Sequence, residues 1–306
     1  MATSGTYDYS PSLGELTLYA YNLIGIRNTA ILQEHLEASR MAANMMLARW
    51  ANLGVNLWAV DLVDVPLLQE IVVTGASGDG AIATFVYSDE NTPIFTPGTS
   101  VNVSGVSPSG YNAIYQVIAS GPGYFTGAST ETGTFVSSGI ATPMDGVATY
   151  SVNPNTVMIL DAYIRTDDYG NFIDRIINPI SRTEYASYAN KEQQGFPTVY
   201  WFDRLINPTI TLWPVPQTTN LSQSLRYYRV KRIQDSNFSN GQQVEIPYLW
   251  LEAFAYGLAH RLAAIWMPEK VPLMAPLAQE AYDIAAGRNV ERAAFYISPI
   301  ISGYYR

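Results

Sequence analysis

Three consecutive patterns between residues 195 and 266 decide the fold class. GFPTVYWFDRLINPTITLWPVPQ at 195–217 combines β-branched and aromatic residues with an internal Asn-Pro break, which predicts two strands joined by a turn. LRYYRVKRIQD at 225–235 alternates its side chains between two faces and predicts a third strand. VEIPYLWLEAFAYGLAHRLAAIW at 244–266 is apolar almost all round, which predicts a buried helix that starts after Pro247.

The segments on either side of this stretch add helices and short strands. Apolar residues at helical spacing predict three further helices, over residues 13–26, 30–52 and 277–294. Ser12 is the predicted N-cap of the first of these helices. Short alternating runs predict strands within 55–63 and 147–165.

Residues 69–146 differ from the rest of the chain in composition and in charge. They are rich in Gly, Ser and Thr, and turn signals separate short alternating runs, which is typical of a small β-sandwich or barrel. No Lys, Arg or His occurs between Trp50 and Ile164, whereas nine acidic residues do. We therefore interpret 69–146 as an acidic β domain inserted into a discontinuous body.

Together these patterns predict an α+β fold, namely a helical bundle with a small antiparallel β-sheet, plus an inserted all-β domain of sandwich or barrel type. The predicted domains are a body formed by 1–68 and 147–294, the inserted domain at 69–146, and a tail at 295–306.

The composition is typical of a protein whose surface takes part in protein–protein contacts. Only 14% of the 306 residues are charged, whereas 48% are hydrophobic and 22 are tyrosine. Tyr is enriched and Lys and Glu are depleted in the cores of protein interfaces. A β-rich protein with many strand tyrosines would have the same composition, so both interpretations stay open here.

Candidate catalytic and metal-binding residues are few. The chain has no Cys, which excludes disulfides, thiolate nucleophiles and cysteine metal sites. His35 and His260 form no metal-binding pattern; we interpret His35 as part of a solvated polar helix face and His260 as a partly buried residue. Neighbouring carboxylates such as Glu34 and Glu37 are common on helix faces. We therefore expect no enzymatic activity, no metal and no cofactor.

The first residues, MATSGTYDYSPS, lack the basic and apolar regions of a secretion signal. No apolar run is long enough to span a bilayer. We therefore expect synthesis in a cytoplasm and no membrane partner.

The strand at 225–233 carries four basic residues interleaved with tyrosines: Arg226, Arg229, Lys231 and Arg232. Such a strand could follow a nucleic-acid backbone. It could equally be an exposed strand whose charges pair with neighbouring residues, and the net charge of −9 favours this second interpretation. We expect no tight binding of DNA.

The succession of patterns resembles one family. Gly-x-Pro-x-x-Tyr, Trp-Pro-x-Pro, the basic strand, Ile-Pro and the Leu/Ala helix follow one another as in the head-to-tail adaptors of short-tailed bacteriophages, the tail tubular protein A type and the tail accessory factors. The N-terminal LGELTLYAYNLIGI and MLARWANLGVNLW fit the same family, and the resemblance covers about 10–68 and 148–300.

This resemblance implies a structural part of the virion, made in the infected cell. It implies a ring of about a dozen copies that joins the portal protein to a tail nozzle protein and to tail fibres. Double-stranded DNA would pass through such a ring during genome ejection without tight binding.

The tail at 295–306 is apolar and aromatic, and an exposed segment of this kind would aggregate. The resemblance implies that it docks into the portal, whereas packing against the helices of its own chain is the alternative. The residues concerned are Phe295, Tyr296, Ile297, Ile300, Ile301, Tyr304, Tyr305 and Arg306.

A second function stays open at this point. The protein could be a tail-associated receptor- or glycan-binding protein in which the β insertion binds the ligand and the helices attach it. The sequence leaves open the copy number, the host, the partner of the insertion, its boundaries and whether the free protein is monomeric.

Overall fold

The computed structural model describes residues 5, 9–54, 57–67, 70–217, 222–237 and 242–290. The chain forms two compact units. We name the first, formed by 1–59 and 232–306, the helical unit, and the second, formed by 60–231, the β unit.

Four of the α-helices belong to the helical unit and one short helix belongs to the β unit. In chain order they are α1 (Leu13–Leu23), α2 (Gln33–Leu53), α3 (Arg182–Ser187), α4 (Leu251–Trp266) and α5 (Val271–Arg288). Short 3-10 helices occur at Asn28–Ala30, Leu57–Ala59, Ser109–Tyr111, Tyr248–Trp250 and Pro268–Lys270.

α1 begins at a capping box. The Ser12 side chain accepts a hydrogen bond from the backbone N–H of Glu15 (3.3 Å), and the Glu15 carboxylate accepts one from the backbone N–H of Ser12 (2.8 Å). This reciprocal pair satisfies backbone donors that a helix start otherwise leaves without partners. Ser12 therefore marks the start of the helix, as the sequence predicts.

Aromatic residues from distant parts of the chain form the core of the helical unit. Trp50 of α2 lies 5.0 Å from Trp250 and 6.3 Å from Phe254, measured between ring centroids. α2 and α4 approach closely at Gly257, because a Cβ there would lie 2.6 Å from the sulfur of Met46. The apolar helix predicted after Pro247 thus lies at the centre of this unit.

The described residues of the β unit form seventeen strands. They are β1 (Val60–Pro66), β2 (Ile71–Val73), β3 (Gly75–Gly78), β4 (Ile82–Val86), β5 (Pro93–Ile94), β6 (Ser100–Ser104), β7 (Ile114–Gly121), β8 (Tyr124–Ala128), β9 (Gly139–Pro143), β10 (Thr149–Ser151), β11 (Thr156–Asp168), β12 (Asn171–Pro179), β13 (Gln194–Gly195), β14 (Val199–Asp203), β15 (Thr209–Trp213), β16 (Val215–Pro216) and β17 (Ser222–Lys231).

These strands form three sheets. The first has eight strands in the order β1-β17-β11-β12-β14-β15-β10-β5, the second has seven in the order β2-β9-β6-β7-β8-β4-β3, and β13 pairs with β16. The two larger sheets include a half-barrel and a nearly closed barrel. One continuous cluster of buried side chains serves both, from Phe85 and Phe125 in the second sheet to Ile164 and Tyr227 in the first.

The fold-class prediction is therefore wrong. The described part of the chain is mostly β, with sheets of eight, seven and two strands and five α-helices, and it is not a helical bundle with a small sheet. The error has a physical cause: strands of two to five residues carry little periodicity, and their pairing partners lie far away in sequence. β5, for example, pairs with β10 more than fifty residues later.

The seven-stranded sheet takes all its strands from Ile71 to Pro143, within the predicted insertion at 69–146. This sheet and the eight-stranded sheet both belong to the β unit, because they share one hydrophobic core. The boundaries of an inserted domain stay a prediction.

Candidate assembly surfaces

α5 exposes three of its large apolar residues. Met274, Ala281 and Ala285 are its buried residues, and two of these three are small. Leu273, Leu277 and Ile284 lie on one face at helical spacing, with the exposed Glu280 between the last two, and they are 55%, 36% and 60% exposed. We name these three residues the outer stripe. A surface helix normally buries its largest apolar residues, so the outer stripe is a candidate contact surface.

The outer stripe continues into a groove between α1, α4 and α5. The groove has a volume of about 840 Å³, and Ile284 forms part of its lining together with aromatic and aliphatic side chains. The exposed ones among these are Tyr9, Tyr19, Tyr248 and Leu249. The outer stripe and the groove together form an apolar surface on the helical unit.

Two carboxylates and one arginine line this groove: Glu15, Glu252 and Arg288. Two hydrogen bonds from Ser12 lower the pKa of Glu15: the one from its backbone N–H has the larger effect, and the one from its side chain has the smaller effect. Burial and the neighbouring Tyr19 raise the pKa of Tyr256. The groove is thus mainly apolar and aromatic, with charge at a few positions.

A second exposed surface lies on the hairpin of β11 and β12 in the β unit. Tyr169 and Gly170 form its two-residue turn with positive φ angles of 50° and 90°, which suit the twist of a tight hairpin. β12 pairs with β11 along Asn171–Ile177, but with β14 only at Asn178 and Pro179. Much of β12 is therefore an open edge.

This edge carries apolar side chains. Phe172, Ile173 and Ile176 are exposed, Ile176 to 81%. Asp174 and Arg175 are interspersed with them, and the pair of Arg165 with Asp174 lowers the pKa of Asp174. Charged residues on an exposed edge discourage pairing with arbitrary strands, whereas an open edge with apolar residues can accept a specific one.

The basic strand predicted from sequence is β17, in the interior of the eight-stranded sheet. Arg226 forms an ion pair with Asp64, and Arg229 donates from Nε to the Asp61 carboxylate (2.7 Å). β1 and β17 are antiparallel, and their register places both acidic residues directly opposite the arginines. Thr156 accepts a further hydrogen bond from Arg229 (3.2 Å). These guanidinium groups are therefore occupied by neighbouring side chains.

The other two basic residues of the prediction lie at the end of this strand. Lys231 is its last residue, and it is half-buried and engaged in the fold. Arg232 follows the strand, belongs to the helical unit and is exposed. The structure thus brings Arg226 and Arg229 against carboxylates and does not gather the four residues into one site.

The interpretation of His35 as a solvated residue is wrong. His35 is buried, its ring stacks on Trp266 with centroids 4.2 Å apart, and its Nδ1 accepts from the backbone N–H of Leu32 (3.2 Å). The Tyr21 hydroxyl donates a hydrogen bond to the His35 carbonyl. Burial is the main reason that the pKa of Tyr21 rises to about 12. His35 therefore packs in the core near the start of α2, and the signal in the sequence was its spacing from Ser39, Ala42 and Met46 on one helix face.

The predicted docking tail, Phe295 to Arg306, lies outside the described residues. Among the residues that are described, no cluster of three or more His, Cys, Asp or Glu side chains could hold a metal ion. None of the described helices combines the length and the hydrophobicity needed to cross a membrane.

Sequence reasoning missed the outer stripe, although Leu273, Leu277 and Ile284 show the spacing of a helix face. Pro272 and Pro276 concealed the signal, because they suggested a corner and moved the predicted helix start to residue 277.

Comparison with known protein families finds no match to this sequence. Comparison with curated proteins finds none either.

Proposed function

We propose that this protein is a structural head-to-tail connector of a phage virion. It forms a ring that joins the portal to the tail nozzle and fibres and serves as part of the DNA conduit. The outer stripe of α5 is the observation that carries the proposal, since three large apolar side chains face outward on a helix whose buried side is mostly small.

The proposed occupant of the outer stripe and groove is a neighbouring copy of this chain. Full burial of one Leu or Ile side chain stabilises a contact by about 1.5–3 kcal/mol, so three such residues give a modest interface. A closed ring repeats that interface at every copy, and closure adds the gain of an intramolecular contact. A contact this weak would leave the free protein largely unaggregated. Repeated around a closed ring, the same contact would hold an assembly together.

The open edge of β12 supplies a separate surface, as a connector needs one surface for its neighbours and another for the next component. β-strand addition would give that component both main-chain hydrogen bonds and pockets for alternate side chains. We assign this edge to a tail-side partner. The sequence resemblance to adaptors of short-tailed phages supports the connector proposal as a whole, and the two surface assignments rest on exposure and on strand pairing.

The occupied guanidinium groups of Arg226 and Arg229 also fit a conduit. A passing duplex is held mainly through contacts of its phosphates with free Lys and Arg side chains. Arginines that are paired with Asp64 and Asp61 offer little to a phosphate, and the net charge of the chain is −9.

Electron microscopy of the purified protein, alone and mixed with isolated portals, tests the proposal. We expect rings that cap the portal vertex, and their rotational symmetry gives the copy number. Particles that stay single in the presence of portals would contradict it.

Deletion of 295–306 tests the proposed role of the tail. Loss of portal binding with unchanged circular dichroism supports docking, whereas unfolding supports packing of the tail on the helices of its own chain.

A glycan-binding function is the second candidate, and one cleft of the β unit favours it. This cleft of about 520 Å³ is lined by Tyr185, Lys191, Glu192, Asp145 and several threonines, a mixture of aromatic and polar groups that suits a sugar. Tyr185 stacks on Trp201 with centroids 5.4 Å apart. Glycan-array binding that Tyr185→Ala abolishes would favour this function, and its absence would leave the connector proposal.

A further inference from the structure

A second cleft of the helical unit lies between α2, α4 and α5. Its volume is about 280 Å³. Small residues leave this space open, because Ala253 and Gly257 of α4 and Ala275 and Ala278 of α5 all contribute to its lining. None of the residues that line this cleft lines the apolar groove or belongs to the outer stripe.

Three of the side chains that line this cleft are basic. Arg49 of α2 is exposed, and His260 and Arg261 of α4 are half-buried. The cleft has no carboxylate among its lining residues, whose other polar members include Gln279 and Tyr282. In the part of the chain that the structure describes, neither Arg49 nor Arg261 takes part in an ion pair.

Asp283, an acidic residue next to the lining in sequence, already has a partner. Asp283 follows Tyr282 on α5, and its carboxylate accepts a hydrogen bond from the Gln279 side chain (2.8 Å). Asp283 is exposed and does not line the cleft. The two guanidinium charges therefore lack a compensating carboxylate within the described lining.

The electrostatics agree with this geometry. Burial lowers the pKa of His260, and the charges of Arg261 and Arg49 lower it further. Burial and then Arg49 lower the pKa of Arg261. Arginine stays protonated in proteins, so two positive charges persist in the cleft at neutral pH while His260 is neutral.

We infer that this cleft binds a phosphate group. A phosphate monoester or free phosphate carries about −1.5 to −2 charges at pH 7, which matches two guanidinium groups. A carboxylate carries a single charge and would leave the cleft positive. Arginine also binds phosphate oxygens with paired hydrogen bonds, and the Tyr282 hydroxyl offers a further donor.

A phosphate of DNA has the same oxygen geometry as free phosphate, but as a diester it carries a single charge, so free phosphate or a monoester fits the two arginines better. The narrow cleft accommodates one anionic group rather than a duplex surface, so a DNA phosphate could enter only as an isolated contact. The test therefore needs one arm for each source.

The test measures binding of sodium phosphate to the whole protein by phosphorus NMR and by thermal shift, at constant ionic strength. We expect saturable binding that weakens by about tenfold or more in Arg49→Gln and in Arg261→Gln, as loss of a charge-assisted contact predicts. Arg40→Gln changes an exposed arginine of the same helix outside the cleft, and binding by this control should be unchanged. Arg261→Lys, which keeps the charge, should retain part of the affinity.

A short DNA duplex and acetate form the other two arms. Displacement of phosphate by the duplex, lost in Arg49→Gln, would support phosphate recognition and identify DNA as its source; failure of the duplex to compete would support free phosphate or a small ester. Equal binding of acetate and phosphate would overturn the proposal, as would phosphate binding that neither arginine variant changes. Because Arg49 is exposed, its variant should fold, and circular dichroism verifies this.

Discussion

The two units of the chain treat their arginines differently. In the β unit, Arg165, Arg226 and Arg229 each face a carboxylate, Asp174, Asp64 and Asp61 respectively. In the helical unit, Arg49 and Arg261 line one cleft, and neither has a carboxylate partner among the residues described. The strand register pairs these three of the six arginines of the β unit with carboxylates, whereas Arg49 and Arg261 are available to an external group.

Apolar side chains do not separate the two units in this way. In the β unit Phe85 and Phe125 are fully buried, whereas Val72 and Ile114 of the same unit are exposed. The contrast that matters for stability is therefore between buried and exposed positions within one unit. Our assignment of the contact between copies to the helical unit rests on the outer stripe and the groove next to it.

Removal of a buried aromatic ring should have the largest effect on stability. Phe85 is fully buried and lies 4.9 Å from Phe125 and 4.8 Å from Tyr115, between ring centroids. Phe85→Ala should reduce the free energy of unfolding by about 3–5 kcal/mol, because it removes burial and leaves a cavity. Urea unfolding followed by circular dichroism measures the change. Val72→Ala, at an exposed position of the same unit, is the control, and equal losses for both would contradict the contrast.

Charges on the outer stripe should impair assembly and leave the fold intact. For Leu273→Glu with Leu277→Glu, we expect at least about 2 kcal/mol of lost interface energy, the size of a binding hot spot. The free energy of unfolding of the single chain should change by about 0.5 kcal/mol or less per site, since both residues are exposed. Mass photometry and urea unfolding measure the two quantities.

The matched control for this variant is Met45→Glu, at an exposed apolar position of α2 in the same unit that lies outside the stripe and outside both the groove and the cleft. Rings that persist in the double variant, or that disappear equally in the control, would rule out the outer stripe as the contact between copies.

The ion pair of β17 should have an intermediate effect. The Arg229 side chain is 13% exposed and contacts Asp61 and Thr156, so Arg229→Gln should cost about 1–3 kcal/mol of stability by leaving these groups without their partner. Thermal unfolding measures this loss. Arg182→Gln, on the exposed α3, should have little effect.

Neutralising both Arg229 and Lys231 should leave DNA affinity unchanged at physiological salt. The reason is that the Arg229 guanidinium is already engaged by Asp61, and fluorescence anisotropy with a labelled duplex is the measurement. A large loss of affinity would show that this strand is a DNA contact after all.

The capping box of α1 should have the smallest effect. Ser12→Ala should cost about 1 kcal/mol, the usual value for an N-cap, whereas Ser10→Ala should cost little. The hydrogen bonds from Ser12 lower the pKa of Glu15 in the folded state, so this contribution is present above the unfolded-state pKa and is lost as pH falls through the lowered value. NMR titration of Glu15 should show its pKa rise only part of the way toward 4.5 in the variant, because alanine keeps the backbone N–H of residue 12, which is the larger cause of the lowered pKa. An unchanged pKa would contradict this account of the cap.

Local chemistry explains what could be predicted from the sequence. β15 spans Thr209–Trp213 as predicted, since β-branched residues lie between two prolines, and α4 follows Pro247 as predicted. The predicted start of α5 was wrong because prolines were interpreted as a corner. Pro272 lies in the first turn, where no N–H is needed, whereas Pro276 lies inside the helix and lacks the N–H that would donate to the carbonyl four residues before it.

Contacts between distant residues explain what could not be predicted. His35 is buried because Trp266 stacks on it from more than two hundred residues away. The pairing of Arg226 and Arg229 with Asp64 and Asp61 depends on the register of β1 and β17. Both pairs have a spacing of three residues, which is compatible with antiparallel strands, but the sequence alone does not show that these strands are neighbours. The cleft with Arg49 and Arg261 likewise depends on the packing of three helices.

Hydroxyl-radical footprinting of the protein, free and assembled on isolated portals, tests the central claim most directly. Oxidation of Leu273, Leu277 and Ile284 should fall on assembly, while oxidation of Ile114, an exposed residue of the β unit, should stay the same. Unchanged oxidation of the outer stripe in assembled particles, with protection at Ile114 instead, would contradict the assignment of assembly to the helical unit.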